Sequence, residues 1–590
     1  MPQFLRRLPL LLLLPLLAST LHAASFPPSY RFREIKGRRV TVYFHQGLEQ
    51  AAREAVALAT ELLERHEARY GRRVGRVHVV LADNEDDPNG FATPLPYPLV
   101  NVRMVSPDGS DEFGNHDGWL RLVLAHELAH IVHLDEARGV MGFGRKLLGR
   151  APFLFPNVFT PTWMIEGLAT YEETEATAFG RGRNPDSRMV VRMAALEDRF
   201  LREDEATYGY APWPAGQGPY LFGEAFLRDL SGKHGDEVVP ALARKQSGKI
   251  LPYLDDFTAR EVTGASFHAQ WRAWADRSRA AFGEAAEGTR RHGLTESRAV
   301  TQRGIRQWEP RFSPDGSWIA YSSRSLTRFP SIRLVRPDGS GDRHLVERNG
   351  GAGLSWTPDG KTLVYAEAEV RRFFSVRSDL RAVDVGTGRV RKISRGLRAR
   401  DPDVSPDGST IVFARHRGDR SELFLVGLDG KDVRPLTESE PGTEWSGPAW
   451  SPRGDRIAAS RLLPGGWLDV VLVDPATGAA SPIVEDRAKD VEPAWTPDGT
   501  AVVFRSDRDG TSNLYAVRLE DRRLVRLTNV LGGAFTPSID PSGREVAFSN
   551  YSSRGFDVHV AALDIDDAPS AEPFVDPYPP AHASAAAGEA

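Results

Sequence analysis

A short phrase returns six times in the second half of the chain, as Phe312-Ser-Pro-Asp-Gly316, Trp356-Thr-Pro-Asp-Gly360, Val404-Ser-Pro-Asp-Gly408, Trp450-Ser-Pro-Arg-Gly454, Trp495-Thr-Pro-Asp-Gly499 and Ile539-Asp-Pro-Ser-Gly543. Its prolines stand 44, 48, 46, 45 and 44 residues apart. No other feature constrains the fold as tightly. Units of this period with several short strands each match the blades of a β-propeller. Within a phrase, Pro sets φ for the first central turn position, Asp suits the next, and Gly supplies positive φ as the chain returns. Each phrase is therefore expected to be a hairpin turn between two strands. Third strands follow, as at Leu423–Val426, Leu468–Val473 and Leu514–Val517, and outer strands end in Pro435-Leu-Thr437 or Arg526-Leu-Thr528. The last unit ends at Val558–Leu563 without an outer strand, so residues 288–295 are expected to supply it and close a six-bladed ring.

These repeats resemble the WD-like propeller repeats of the periplasmic Tol-system protein and of the tricorn protease. The resemblance covers nearly half of the chain, implies an all-β propeller over 288–566, and says little about function. Residues 567–590, rich in Asp, Pro and Ala, read as a disordered tail.

At 590 residues the chain is too long for one core, so a second domain is expected. Lys+Arg 75 against Asp+Glu 79 argues against a nucleic-acid partner, which would require a strong basic excess. Zero cysteines exclude disulfides, thiolate zinc sites and a cysteine nucleophile. Arg6 and Arg7 precede the apolar run Leu8–Ala18, and small residues follow up to Ser25. This reads as a signal peptide over 1–24, since a membrane helix needs roughly 20 apolar residues. A periplasmic or secreted protein is expected, with no transmembrane segment once the signal is cut.

Residues 25–287 mix early strands (Val40–Phe44, Val77–Leu81, Leu99–Met104) with helical periodicity at Gln50–Tyr70, Trp119–His133, Thr162–Thr174, Ser187–Leu201 and Tyr220–His234. An α+β domain follows. Its informative stretch is His126-Glu127-Leu-Ala-His130. Residues four apart on a helix lie one above the other, so His126 and His130 can present two imidazoles to one zinc ion. Glu127 sits about 100° round, where its carboxylate can hold the water that the metal polarises. Apolar neighbours predict a buried helix, in which two histidines and a glutamate are costly without a task. Zincins that draw the third ligand from the same stretch place a glycine three and a histidine six residues after the second histidine. Here those places hold His133 and Glu136, and His133 is assigned a structural or supporting role.

Trp163-Met-Ile-Glu166-Gly167-Leu-Ala-Thr-Tyr171 resembles the W-x-x-E-G-x-A-x-Y phrase of the glutamate-zincins, including aminopeptidase N-like enzymes. The resemblance implies that Glu166 is the third zinc ligand, with a longer gap from His130 than that family usually has. Gly167 is expected to let this helix approach the histidine helix. Glu172 and Glu173 are rivals, but a solvated helix end accounts for them. Tyr220-Leu-Phe-Gly223 resembles the Y-x-x-G helix of the same enzymes, whose tyrosine donates to the oxyanion. Tyr220 takes that role here; the other reading is an amphipathic tyrosine on a core helix. Leu99–Met104 precedes the metal helix as the substrate-binding edge strand does in zincins, though an ordinary sheet edge fits equally. The insertion Met141–Phe159 is expected to pack on the propeller, with a lid or a membrane-facing patch as alternatives. No G-x-S-x-G elbow supports serine catalysis.

The sequence thus reads as an exported peptidase with one zinc per chain, acting on a peptide or protein substrate. Its propeller would bind a protein partner or restrict access. The competing reading is a propeller-based scaffold with a catalytically silent zincin domain.

Overall fold

The computed structural model describes residues 26–107, 116–207, 213–251, 254–372 and 374–577. The expected signal peptide and the tail beyond Pro577 lie outside them. No helix among the described residues is long and apolar enough to cross a membrane. The N-terminal region is α/β and the C-terminal region is an all-β, propeller-like array.

The N-terminal sheet has five strands in the order Arg33–Lys36, Val40–Phe44, Val77–Ala82, Leu99–Arg103, Gly90–Thr93. The three central strands pair in parallel and the outer two antiparallel. Leu99–Arg103 is therefore an interior strand, and the edge is the short Gly90–Thr93 that precedes it in the chain. This corrects the expected edge. Gly90–Thr93 carries a Gly and an Ala in four residues, so it lacked the β-branched signature by which the other strands were read.

Two helices pack on this sheet and on each other. Glu49–Tyr70 ends at Gly71, whose φ of 62° caps the last turn. Trp119–Leu134 carries His126 and His130, and it is so largely apolar that nearly all of it is buried. Its start is pinned by the Trp119 indole N–H donating to the Arg103 carbonyl at 2.8 Å. The helices Thr162–Ala176 and Gly218–His234 cross where Gly167 meets Gly223, and a Cβ on either would strike the other's backbone. Gly167 thus serves the Tyr220 helix rather than the histidine helix, as had been expected.

The six phrases are hairpin turns, and their glycines hold φ between 68° and 73°. In the first, Ser313 N–H donates to Trp318 O and Gly316 N–H to Ser313 O, both at 2.8 Å. An L-residue with a side chain is strained there, which is why Gly recurs at that position. Four of the units form separate four-stranded sheets. The first and last units join in one eight-stranded sheet through parallel pairing of Ile305–Phe312 with Gly555–Ala562. The outer strand of the last unit is Arg298–Ala299, antiparallel to His559 and Val560. Residues up to Arg291 belong instead to the helix Phe267–Arg291, so both the expected closing segment 288–295 and the boundary at 287 are displaced. The amphipathic stripe of that helix packs Trp271 and Trp274 into the N-terminal core and carries it past the expected end. The tail is also partly placed. Ser570 pairs with Val525, and Asp576 forms an ion pair with Arg487 at 2.8 Å.

The two regions share one core. Trp308, Phe535, Tyr551 and Phe556 of the propeller cluster with the apolar residues of the N-terminal helices. Asp186, in the first turn of Pro185–Leu196, enters the propeller face and meets Arg505 Nη1 at 2.9 Å, Lys489 Nζ at 3.3 Å and Ser512 Oγ at 2.6 Å. Burial favours the neutral acid, but the two cations and the hydroxyl outweigh it and hold Asp186 at about 2.

Candidate metal centre

His126 and His130 point the same way from their helix, with Nε2 atoms 3.1 Å apart. Glu166 Oε2 reaches across from the neighbouring helix to 3.2 Å from His130 Nε2 and 3.5 Å from His126 Nε2. Among the described residues this is the one group of three or more His, Asp or Glu side chains close enough to hold a metal ion. Ligand atoms at about 2.0–2.1 Å from a tetrahedral zinc stand roughly 3.3 Å from each other, so the spacing fits that ion. The donor set argues the same way. Three lone-pair-bearing atoms converge in a buried place, and a cation between them removes their mutual repulsion.

The surroundings supply the charge that a cation needs. His126 Nδ1 lies 2.8 Å from both Glu173 Oε2 and Arg181 Nη2; with its proton on Nδ1 toward the carboxylate, Nε2 is the ring nitrogen left to act as a ligand atom. Arg181 holds Glu173 in turn, through Nε at 2.8 Å and Nη2 at 2.7 Å. Burial favours the neutral Glu173, but Arg181 and His126 outweigh it and hold the carboxyl at about 2. Burial would lower the pKa of His126, yet Glu166 and Glu173 outweigh it and raise it to about 9.

Glu173 and Arg181 are the members that sequence reasoning missed. A solvated helix end was expected at Glu172 and Glu173, but both are buried. Glu172 accepts from Arg69 Nε at 2.7 Å and from the Tyr70 hydroxyl at 3.1 Å. The helix continues to Ala176 inside the domain because other helices cover it. The available signal was spacing: Glu173 lies seven residues after Glu166 in the same helix, two turns along the same face.

Glu127 is buried on the other flank, and burial raises its pKa above the ordinary carboxylate range. The edge strand presses on it. A Cβ at Gly90 would stand 2.5 Å from Glu127 Oε1, so only a glycine leaves this carboxylate its place. Tyr220 faces the same cavity with its ring 6.1 Å from that of His126 and under the Arg181 guanidinium at 4.8 Å. Burial and the negative charge of Glu166 raise its phenol above the usual value. His133 is fully buried, and burial lowers its pKa to about 3. It stands outside the converging set and neither ring nitrogen has a hydrogen-bond partner among the described residues. The cavity measures about 220 Å³ and is walled by Gly90, Phe91, Trp119, Val123 and Ile165 around the polar group.

Among the described residues the insertion Met141–Phe159 makes its main contacts with its own domain rather than with the propeller as had been expected. It forms the helix Gly139–Leu148 and two short 3-10 turns, and it leans on its own domain, with Arg145 and Arg150 on Asp135.

Comparison with known proteins bears on the second half of the chain. The TolB beta propeller domain family (PD40) matches residues 291–446 and 439–571, a span that leaves out His126, His130 and Glu166. An uncharacterized protein of Agrobacterium fabrum is 26% identical over 219 residues, which is 36% of this chain and 72% of that protein. The Tol-Pal system protein TolB of Francisella tularensis is 26% identical over 251 residues, 40% of this chain and 54% of its own length. An uncharacterized peptidase, YuxL of Bacillus subtilis, is 27% identical over 203 residues, 33% of this chain and 28% of that one. The chain thus spans about half of the TolB relative and less than a third of the peptidase. The crystal structure of TolB from Acinetobacter baumannii superimposes with a TM-score of 0.36 and 20% identity, over 40% of this chain and 58% of that one. Residues 291–571 are a TolB-like propeller region.

Proposed function

We propose that this chain is an exported, zinc-dependent peptidase in which a zincin-like domain is joined to a six-bladed propeller. One observation carries the reading: His126 Nε2, His130 Nε2 and Glu166 Oε2 converge on one point, with Glu127 beside it at a cavity. One zinc per chain, held by those three atoms, would supply a Lewis acid that polarises the scissile carbonyl and acidifies water. Glu127 accepts the water's proton and returns it to the leaving amine, and its raised pKa suits transfer in both directions. The Tyr220 hydroxyl donates to the oxygen on which negative charge develops. Glu173, held by Arg181, orients His126. The free side of Gly90–Thr93 offers backbone groups to an extended peptide.

Two observations support a closed ring. Arg298–Ala299 completes the last unit, and the first strands of successive units touch in chain order, the sixth touching the first. Export rests on the N-terminal basic and apolar run, and a protein-binding role for the propeller rests on the TolB likeness. That likeness also supports the second reading, a periplasmic scaffold whose zincin domain is silent.

The test is to incubate the protein with a diverse peptide mixture, with and without chelator, and map the cuts by mass spectrometry. Cleavage that chelator and Glu127→Gln both abolish supports the peptidase. Bound zinc with no cleavage of any peptide favours the scaffold.

A further inference from the structure

Seven of the 21 exposed large apolar side chains among the described residues fall between Val140 and Phe159. On the helix Gly139–Leu148, Val140, Phe143 and Leu147 lie at positions i, i+3 and i+7 and make one apolar face. That face looks outward: Phe143 is 68% exposed and Leu147 is 73% exposed, while Met141 alone turns into the domain. Phe153 extends the patch from the 3-10 turn that follows. On the other side, Arg138 N–H donates to the Ser247 carbonyl at 3.0 Å, which brings up the loop carrying exposed Ile250 and Leu251. Isolated exposed apolar residues need no explanation, but a concentrated set marks an interaction surface.

Charge identifies what covers it. From Ala137 to Ile165 the chain has four basic residues, Arg138, Arg145, Lys146 and Arg150, and no acid, although the whole chain has a net charge of −4. Arg145, Arg150 and Arg72 share the single carboxylate of Asp135, and Arg138 pairs with Glu136 at 2.5 Å; with Lys146, five cations face two acids and positive charge remains in excess. An amphipathic helix with outward Phe and Leu beside a local excess of Arg and Lys is the pattern of a helix lying in the plane of an anionic lipid interface. A protein partner of the usual kind would not require the charge to be of one sign over 29 residues.

We propose that this face, centred on Phe143 and Leu147, docks the protein on the surface of an anionic lipid bilayer without spanning it. Phe91, exposed on the edge strand, lines the cavity of the metal centre, and Arg150 donates to the Pro94 carbonyl just beyond that strand. The docked face therefore adjoins the mouth of the cavity. The proposal stands whether or not the cavity is catalytic.

Vesicle co-sedimentation tests it, with the chain begun at Ser25 so that the N-terminal apolar run takes no part. Vesicles of equal phosphatidylglycerol and phosphatidylcholine are compared with pure phosphatidylcholine. Binding to the anionic vesicles should be at least tenfold tighter. Phe143→Ser with Leu147→Ser should weaken it at least tenfold with an unchanged melting temperature, because both side chains already face solvent. Lys146→Glu should weaken it less, and only at low salt. The proposal is overturned if anionic vesicles do not bind the protein, or if the double variant binds as well as the parent. It is equally overturned if sedimentation shows a dimer that the double variant dissociates and vesicles do not bind, which would make the patch an interface between copies.

Discussion

The propeller and the candidate metal centre each hold largely buried carboxylates, and they surround them differently. In the propeller, Glu309, Asp401 and Glu492 lie on the first strands of alternate units, at bulges with φ of 56°, 51° and 61°. Each accepts from a backbone N–H at the first strand of the next unit: Gly353 at 3.0 Å, Gly447 at 3.2 Å and Thr536 at 2.6 Å. These acids are joints between repeats. At the candidate metal centre no backbone N–H among the described residues donates to the Glu166 carboxylate, whose Oε2 stands beside His126 Nε2 and His130 Nε2 instead. A buried carboxylate answered by a backbone N–H is finished as structure, whereas one that faces other lone pairs calls for a cation. Residue type does not distinguish the two cases. The partners do.

The sharpest way to break this comparison is at the metal centre. Glu127→Gln should lower peptide turnover by about 10²–10⁴-fold while zinc content stays near one per chain, because only the proton acceptor is removed. His126→Ala or Glu166→Ala should remove the zinc as well. Glu309→Gln in the propeller should leave both zinc content and turnover unchanged. Elemental analysis and a cleavage assay on the four variants decide it, and a zinc loss in Glu309→Gln would end the contrast.

Next in size is the joint between the regions. Asp186→Ala strands Lys489 and Arg505, which are buried, and should cost about 3–5 kcal/mol of stability in a thermal or urea melt. The sign of its pH dependence follows from the lowered pKa. Asp186 titrates at about 2 in the fold and near 3.8 when exposed, so its contribution is complete above about pH 4 and is lost as the pH falls toward 2. The gap in melting temperature between parent and variant should shrink over that window.

Two smaller effects sharpen the picture. Glu173→Gln should weaken zinc binding by about 10–100-fold, since His126 loses the carboxylate that orients it, and Glu172→Gln should leave zinc affinity unchanged. A competition titration with a chromogenic chelator measures both. Val300→Pro removes the N–H that donates to the Val558 carbonyl at 2.7 Å, beside the strand that completes the last unit. It should cost about 1–3 kcal/mol. An unchanged melt would mean that this N-terminal strand adds nothing to the last unit.

Much of this was legible in the chain. The propeller repeats read directly because their turns need Pro, Asp and Gly at fixed offsets, a local demand that any sequence must meet in the same way. The pair His126 and His130 was legible because a helix brings residues four apart onto one face. Glu166 required a likeness to a known phrase, and the structure then placed its oxygen beside both imidazoles.

Other parts could not be read along the chain. Glu173 and Arg181 look like ordinary charged residues, and only the packing of their segments around His126 turns them into its support. Gly90 lies in a four-residue strand with no pattern of its own, yet the histidine helix makes it the residue that Glu127 leans against. Gly167 was legible as a close approach but not as an approach to Gly223. The insertion Met141–Phe159 looked like a surface for the propeller, and the tertiary structure left Phe143, Leu147 and Phe153 in it facing solvent. Turns and helix faces depend on neighbours a few residues away, and a sequence states those outright. Partners, edges and exposure depend on segments tens to hundreds of residues distant, which meet only when the whole chain has closed its core.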